Sequence, residues 1–350
     1  MRKPDFSESE LLQRVESLIR SRMPGDWRLE IRPRPETGEA ADSRLFLAGP
    51  DGSRRELSLI AKPSIQPRQI RALPAAPRGG LLLATSYLNA RARELLRDAG
   101  INYCDLTGNL WLRSDRPALL LDKDGAARNP WPEEARDLKG LRGSRAARVV
   151  RGLCDFRAPY SLSELASRCQ VSLATVSRVA RYLEAEALLE RKERGGILRV
   201  DWPALLRRWS EDYRLLETNR ATGYLDPRGT RNFTGNLPRS DTFCALTGSL
   251  AASRYVQAAP ARLAVAYTRT PSRLAGRLDL TETDAGANVV LLEPFDPVVF
   301  DRTTTDEDGL TFVAPSQIAV DLLTSPGRGP SEAEVLLAWM QRNEDDWRQT

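Results

Sequence analysis

The chain has 350 residues, 41% of them hydrophobic, which suits two or three globular domains with their own cores. It contains no histidine, which excludes Ser-His-Asp and Cys-His catalysis, histidine general bases and histidine-bearing zinc sites. The formal charge of +5 is unevenly placed: residues 139–200 carry thirteen basic against six acidic side chains, whereas residues 201–350 are net acidic. No apolar run approaches the roughly 20 residues of a membrane span, and the opening MRKPDFSESELLQR lacks the apolar core of a signal peptide. A cytoplasmic protein with no membrane partner is expected. Cys104, Cys154, Cys169 and Cys244 are widely spaced, without a C-x-x-C pair, and read as reduced core thiols.

Residues 1–137 read as an α/β domain. The periodicity predicts a helix over Ser9 to Arg20, strands at Trp27 to Ile31, Arg44 to Leu47 and Glu56 to Ala61, and a proline-stiffened connection through Pro63, Pro67, Pro74 and Pro77. A buried strand at Leu81 to Ala84 follows, then a helix from Asn89 to Ala99 closed by Gly100, and strands at Ile101 to Cys104, Leu110 to Leu112 and Ala118 to Leu121. This order resembles the core of the PD-(D/E)XK nuclease superfamily, whose active members hold a metal with an acid and an acid-x-lysine on the next strand. Here Lys62 stands where the lysine belongs, but Ile60 occupies the acid position. Asp105 and Asp122 remain as carboxylates, and Asp105 with Gly108 reads as a turn. An inactive nuclease-like domain is expected; a metal-dependent nuclease is the enzyme alternative.

Asn129-Pro130-Trp131-Pro132 reads as an extended linker into a second domain, residues 138–201. Arg142, Arg145, Arg148 and Arg151 recur every three residues on its expected first helix, as a solvated face or, preferably, a contact to DNA backbone. Ser161 and Glu164 have capping-box spacing, and Leu162, Leu165, Ala166 and Cys169 mark one buried face. After a break at Gln170-Val171, Ser172 caps a helix whose inner face is Leu173, Val176, Ala180 and Leu183 and whose outer face carries Ala174, Thr175, Ser177, Arg178 and Arg181. A strand pair around Gly195-Gly196 brings Arg191, Lys192 and Arg194 near its tip. Two helices, a tight turn and a basic hairpin predict a winged helix-turn-helix.

The run VSLATVSRVARYLEAEALLER resembles the bacterial winged-helix regulators, many of which have glycine where Gln170 stands. Candidate DNA contacts are Ser172, Ala174, Thr175, Ser177, Arg178 and Arg181 on the helix, Arg191, Lys192 and Arg194 on the wing, and Arg145 and Arg148 on the first helix. A helical hairpin with a solvated basic face, or a winged helix used for protein contact, is the competing reading.

Residues 202–350 read as a linking helix, Trp202 to Glu217, and a further α/β domain. The stripe Leu205, Leu206, Trp209, Tyr213, Leu216 suits a dimer contact or packing on the next domain. Phe243 to Leu246 reads as a strand, Thr247-Gly248-Ser249 as a turn, Leu250 to Val256 as a helix, and Ala261 to Thr268 and Asn288 to Leu292 as strands. The Gly-Ser turn resembles the opening of the nucleotidyltransferase fold, without acids on the later strand to bind metal. NVVLLEPFDPVVFDRT, APSQIAVDLL and PGRGPSEAE resemble the carboxyl-terminal region of AbiEi-type antitoxins of type IV toxin–antitoxin systems, and imply autoregulatory DNA binding.

The expected architecture is therefore multidomain α/β: a nuclease-like domain, a central winged helix-turn-helix and an AbiEi-like or nucleotidyltransferase-like domain. The expected function is a DNA-binding transcriptional regulator, with a repressor preferred, no catalytic residues, and neither cofactor nor metal. Its expected partners are a double-stranded DNA operator and a second copy of the chain, with a toxin or a nucleic-acid or small-molecule effector as further candidates. An antitoxin acting with a separately encoded toxin is the alternative.

Overall fold

The computed structural model describes residues 7–33, 43–74, 80–131, 140–192, 195–257 and 261–349. It is a mixed α/β protein whose chain forms two compact units. One comprises Met1–Arg136 with Ala185–Ala187, the other Asp137–Glu184 with Leu188–Thr350. Pro77, Pro132 and the expected boundary at residues 137–138 lie outside the described residues.

In the first unit α1 (Glu8–Arg20) begins at Ser7, where Ser7 and Glu10 form a reciprocal capping box. Strands β1 (Arg28–Pro33), β2 (Ser43–Ala48) and β3 (Arg54–Ala61) run antiparallel. β3, β4 (Leu81–Thr85) and β5 (Asn102–Asp105) are parallel, joined through α2 (Pro67–Ile70) and α3 (Ala90–Asp98). β6 (Leu110–Asp115) and β7 (Ala118–Lys123) return antiparallel, so the seven strands lie in sequence order.

Alternation splits the central strands between two cores. Leu57, Leu59, Leu82 and Cys104 pack with α1, and Ile60, Leu81, Leu83 and Tyr103 pack with α2 and α3. The short α2 falls within the proline-stiffened connection, where no helix was expected. Pro67 stands in its first turn, where the missing N–H is no loss.

The second unit begins with α4 (Ser144–Asp155), α5 (Leu162–Arg168), α6 (Leu173–Ala185) and a hairpin of β8 (Leu189–Arg191) and β9 (Ile197–Val200). The expected linking helix is two pieces, α7 (Trp202–Ser210) and α8 (Leu215–Thr218). It breaks because the Leu215 amide donates to Thr324 Oγ1 instead of a helical carbonyl, and Tyr213 turns inward. Trp209 and Tyr213 are almost fully buried within the unit, so only Leu216 of the expected contact stripe is exposed.

The remainder comprises β10 (Arg220–Leu225), α9 (Thr230–Asn236), β11 (Cys244–Thr247), α10 (Gly248–Ala252), β12 (Ala264–Thr268), α11 (Pro271–Arg277), β13 (Thr281–Glu282) and β14 (Val289–Glu293). It continues through β15 (Thr304–Thr305), β16 (Thr311–Phe312), α12 (Pro315–Leu323), α13 (Gly329–Arg342) and α14 (Glu344–Trp347). Its sheet has the order β13-β10-β14-β12-β11-β16-β15, with β12–β14 and β11–β16 parallel. Helix α10 starts two residues before the predicted one, because Gly248 (φ +68°) turns the chain directly off β11.

Polar ties lock α4 to this sheet portion. Arg148 Nε meets Asp296 Oδ1 at 3.0 Å, and the buried Arg151 donates to Val298 O, Asp301 O and Gln317 Oε1. Arg348 donates to the carbonyls of Cys154 and Phe156 at the end of α4. One hydrophobic core runs from Leu141 to Trp347, so residues 140–200 and the sheet portion share an interior.

Candidate nucleic-acid interface

Helix α5 opens with the predicted box: Ser161 Oγ accepts the Glu164 amide at 3.1 Å, and Glu164 accepts the Ser161 amide at 2.6 Å. The Ser161 backbone amide, then its hydroxyl, hold the Glu164 carboxyl below its ordinary range. The helix ends in a Schellman turn. Gln170 N bonds Ser167 O, Val171 N bonds Ala166 O, and Gln170 takes the left-handed conformation at φ +53°. That φ is the reason related turns favour glycine. The turn delivers Ser172, whose hydroxyl accepts the Thr175 amide at 3.3 Å and caps α6.

The faces of α6 differ from the predicted ones at both edges. Val176, Val179, Ala180 and Leu183 are buried. Thr175, expected outside, is also buried, and its hydroxyl lies 2.9 Å from Ser172 Oγ, so it serves the cap. Leu173, expected inside, is 53% exposed. Ala174, Arg178 and Arg181 are exposed and Ser177 half-buried. Arg178 has no ion-pair partner among the described residues.

The hairpin is anchored by a third extended segment: Tyr160 and Ile197 exchange backbone hydrogen bonds at 2.9 and 3.2 Å. Its tip is closed by Lys192 N to Gly196 O at 2.8 Å, with Gly195 at φ +97°. Lys192 and Arg199 are exposed. Arg191 instead lies against α6 with its guanidinium 3.6 Å from Glu184, and Arg194 lies outside the described residues.

The four arginines spaced by three do not share a face. Arg142 precedes α4 and lies 3.4 Å from Asp212, and steps of three residues fall about 60° short of a full helical turn, so Arg145, Arg148 and Arg151 drift around the helix. Arg142 and Arg145 are exposed, Arg148 is half-buried on Asp296, and Arg151 is buried against Asp155 at 3.0 Å. Arg148 is therefore withdrawn from the expected contact surface, because Asp296 and its own partial burial hold it. The amino-terminal end of α4 faces α6 across a cleft of about 410 Å³ whose charged walls are Arg142, Arg145 and Arg178. Gly143, at φ +88°, precedes α4 and supplies no side-chain cap to its first amides.

The carboxylates singled out elsewhere are engaged. Asp105 is fully buried and accepts the amides of Leu88, Thr107 and Asn109 and the side chains of Thr107 and Asn109, which makes it the organiser of its turn. Asp122 takes a two-pronged contact from Arg97. Ile60 is buried in the core beside α2 and α3. In the Thr247-Gly248-Ser249 turn, the Thr247 hydroxyl donates to Asp321 at 2.6 Å. Asp321, on α12, is the acid that the sequence did not reveal. It accepts Tyr213, Tyr267 and Gln317 as well, and burial pushes its carboxyl up to about 6 even though these donors pull the other way. The only signal for it was a charged residue at an otherwise buried position of APSQIAVDLL.

Among the described residues no helix is long and apolar enough to cross a membrane. Compared with known proteins, the chain matches no family model, no curated protein and no solved structure.

Proposed function

We propose that the chain is a sequence-specific double-stranded DNA-binding transcriptional regulator acting as a repressor, with α5 and α6 as a helix-turn-helix and β8–β9 as its wing. The observation that carries this reading is the outer arc of α6, where Ala174, Ser177, Arg178 and Arg181 stand together beside an arginine-walled cleft. A helix that is small and polar on its outer side fits the major groove, and a guanidinium there can fork to guanine O6 and N7. Arg142, Arg145 and Lys192 flank that arc as phosphate contacts, in the most basic segment of the chain.

The remaining α/β portions, nuclease-like and AbiEi-like in our reading, serve sensing, partner binding and dimerisation. A two-fold dimer on an inverted repeat supplies the interface that one small reader lacks. Its contact lies away from Trp209 and Tyr213, which are occupied inside their own unit. The chain performs no chemistry of its own in this reading, since Asp105 and Asp122 are committed to turn and ion-pair roles.

The test is selection from a random-sequence duplex pool, followed by gel-shift titration. Arg178→Ala should lose about 1–3 kcal/mol of discrimination at one base pair. Lys192→Ala should weaken all sequences alike and lower the salt slope by about one. Wild-type affinity of Arg178→Ala for the selected DNA would refute the assignment of α6.

A further inference from the structure

Leu173 is the one large apolar side chain on the outer side of α6, and it stands at the first position of the helix. At about 100° per residue, Leu173, Ser177, Arg181, Ala174 and Arg178 fill an arc of about 140°, while Thr175, Val176, Val179, Ala180 and Leu183 occupy the buried remainder. Leu173 thus sits at one edge of the arc, in the turn nearest the α5–α6 corner, with Ser177 beside it. Arg178 lies at the other edge, about one and a half turns further on.

We infer that Leu173 reads the 5-methyl group of a pyrimidine in the major groove. The inference rests on the DNA-binding reading above and deepens it by naming what the groove must offer. The amino-terminal residues of a recognition helix approach base edges most closely. An isobutyl group there can neither donate nor accept a hydrogen bond, so opposite a bare polar base edge it would strip water from that edge and return nothing. The apolar feature of the major-groove edge is the pyrimidine 5-methyl: thymine, or cytosine carrying the same methyl. Charge complementarity selects DNA as the occupant, because Arg142, Arg145 and Arg178 wall the cleft along the other edge of the same arc. The preferred site therefore pairs a 5-methylpyrimidine under Leu173 with a guanine under Arg178. The two helix positions are about 7.5 Å apart along the axis at about 1.5 Å per residue, so the two bases fall within a few base pairs of each other.

The experiment uses the full chain and duplexes selected from a random pool. Each thymine is replaced in turn by deoxyuridine, which removes only the methyl, and in a second arm cytosines are replaced by 5-methylcytosine. One or two thymine replacements should weaken wild-type binding about three- to fivefold, the scale of one buried methyl, and Leu173→Ala should be indifferent to those same replacements. If instead cytosine methylation strengthens wild-type binding and not Leu173→Ala binding, the methyl recognised is that of 5-methylcytosine. Wild-type indifference to both kinds of replacement, with Arg178→Ala still impaired, would overturn the methyl assignment and leave the DNA reading standing. A protein that enriches no sequence would overturn both. Because Leu173 is exposed, Leu173→Ala should keep the wild-type urea midpoint, which separates lost reading from lost folding.

Discussion

Arg151 Nη1 donates to Gln317 Oε1 at 2.9 Å, joining the middle of α4 to α12 across the interior of the second unit. The same guanidinium holds Asp155, and the Gln317 amide continues to Asp321 at 2.8 Å, so a line of polar contacts runs from the sheet turn at Thr247 to α4, whose amino-terminal end lies across the cleft from α6. Arg151→Leu would leave Asp155 buried without its nearest cation and should cost about 3–5 kcal/mol. Arg178→Ala, on the exposed arc, should stay within about 0.5 kcal/mol of wild type. Urea titration of the two variants side by side measures the contrast; equal midpoints would contradict the burial of Arg151.

These two arginines also mark how far the sequence was legible. Arg178 could be placed because α6 has enough apolar residues at i, i+3 and i+4 to fix its rotation, and the Ser161–Glu164 box is a purely local signal. Arg151 could not, because its burial depends on Gln317 and two carbonyls supplied by distant segments, beyond the local pair with Asp155. Thr175 and Leu173 were exchanged between faces for a related reason. At the first turn of a helix the cap decides orientation, and Ser172 draws the Thr175 hydroxyl inward. Strands of the first unit were readable where alternation or continuous burial was clean, as at β4. β10, with Thr222 and Gly223 at its centre, had no such pattern.

Gly152 of α4 lies directly beneath Cys169. A methyl group at residue 152 would stand 2.3 Å from Cys169 Sγ and 3.0 Å from Leu165 Cδ1. Gly152→Ala gains helix propensity but must push α5 away from α4, so a net loss of about 1–3 kcal/mol is expected. Removing the sulfur should recover part of it. In a double-mutant cycle, Gly152→Ala with Cys169→Ala should be more stable than the two single losses added together. Strict additivity would mean that the helices are not in this contact.

Gln170 holds a left-handed conformation in the turn between α5 and α6. A residue with a Cβ gives up roughly 1–2 kcal/mol there, and glycine recovers most of this while adding entropy to the unfolded chain. Gln170→Gly should therefore stabilise the protein by about 0.5–1 kcal/mol without changing DNA affinity, as read from thermal unfolding and gel shift together. Destabilisation would show that the glutamine side chain makes a contact outweighing the strain.

Asp321 gives the protein a pH dependence whose sign follows from its surroundings. Its carboxyl is fully buried among Thr247, Tyr213, Tyr267 and Gln317, and burial raises it from the ordinary carboxylate range to about 6, the four donors only partly opposing the shift. The unfolded chain releases this proton near pH 4. Between those values the folded protein binds the proton and the unfolded chain does not, so the associated stability is complete below the unfolded value and is lost as pH rises through about 6. Asp321→Asn keeps the shape of the side chain and removes the titration. The difference in unfolding free energy between wild type and Asp321→Asn should shift against wild type by about 1–1.5 kcal/mol from pH 5 to pH 7. Taking the difference cancels the other titrating groups, whose surroundings are the same in both proteins. Urea titrations at half-unit pH steps measure it, and parallel curves for the two proteins across this range would show that Asp321 is ionised in the folded state throughout.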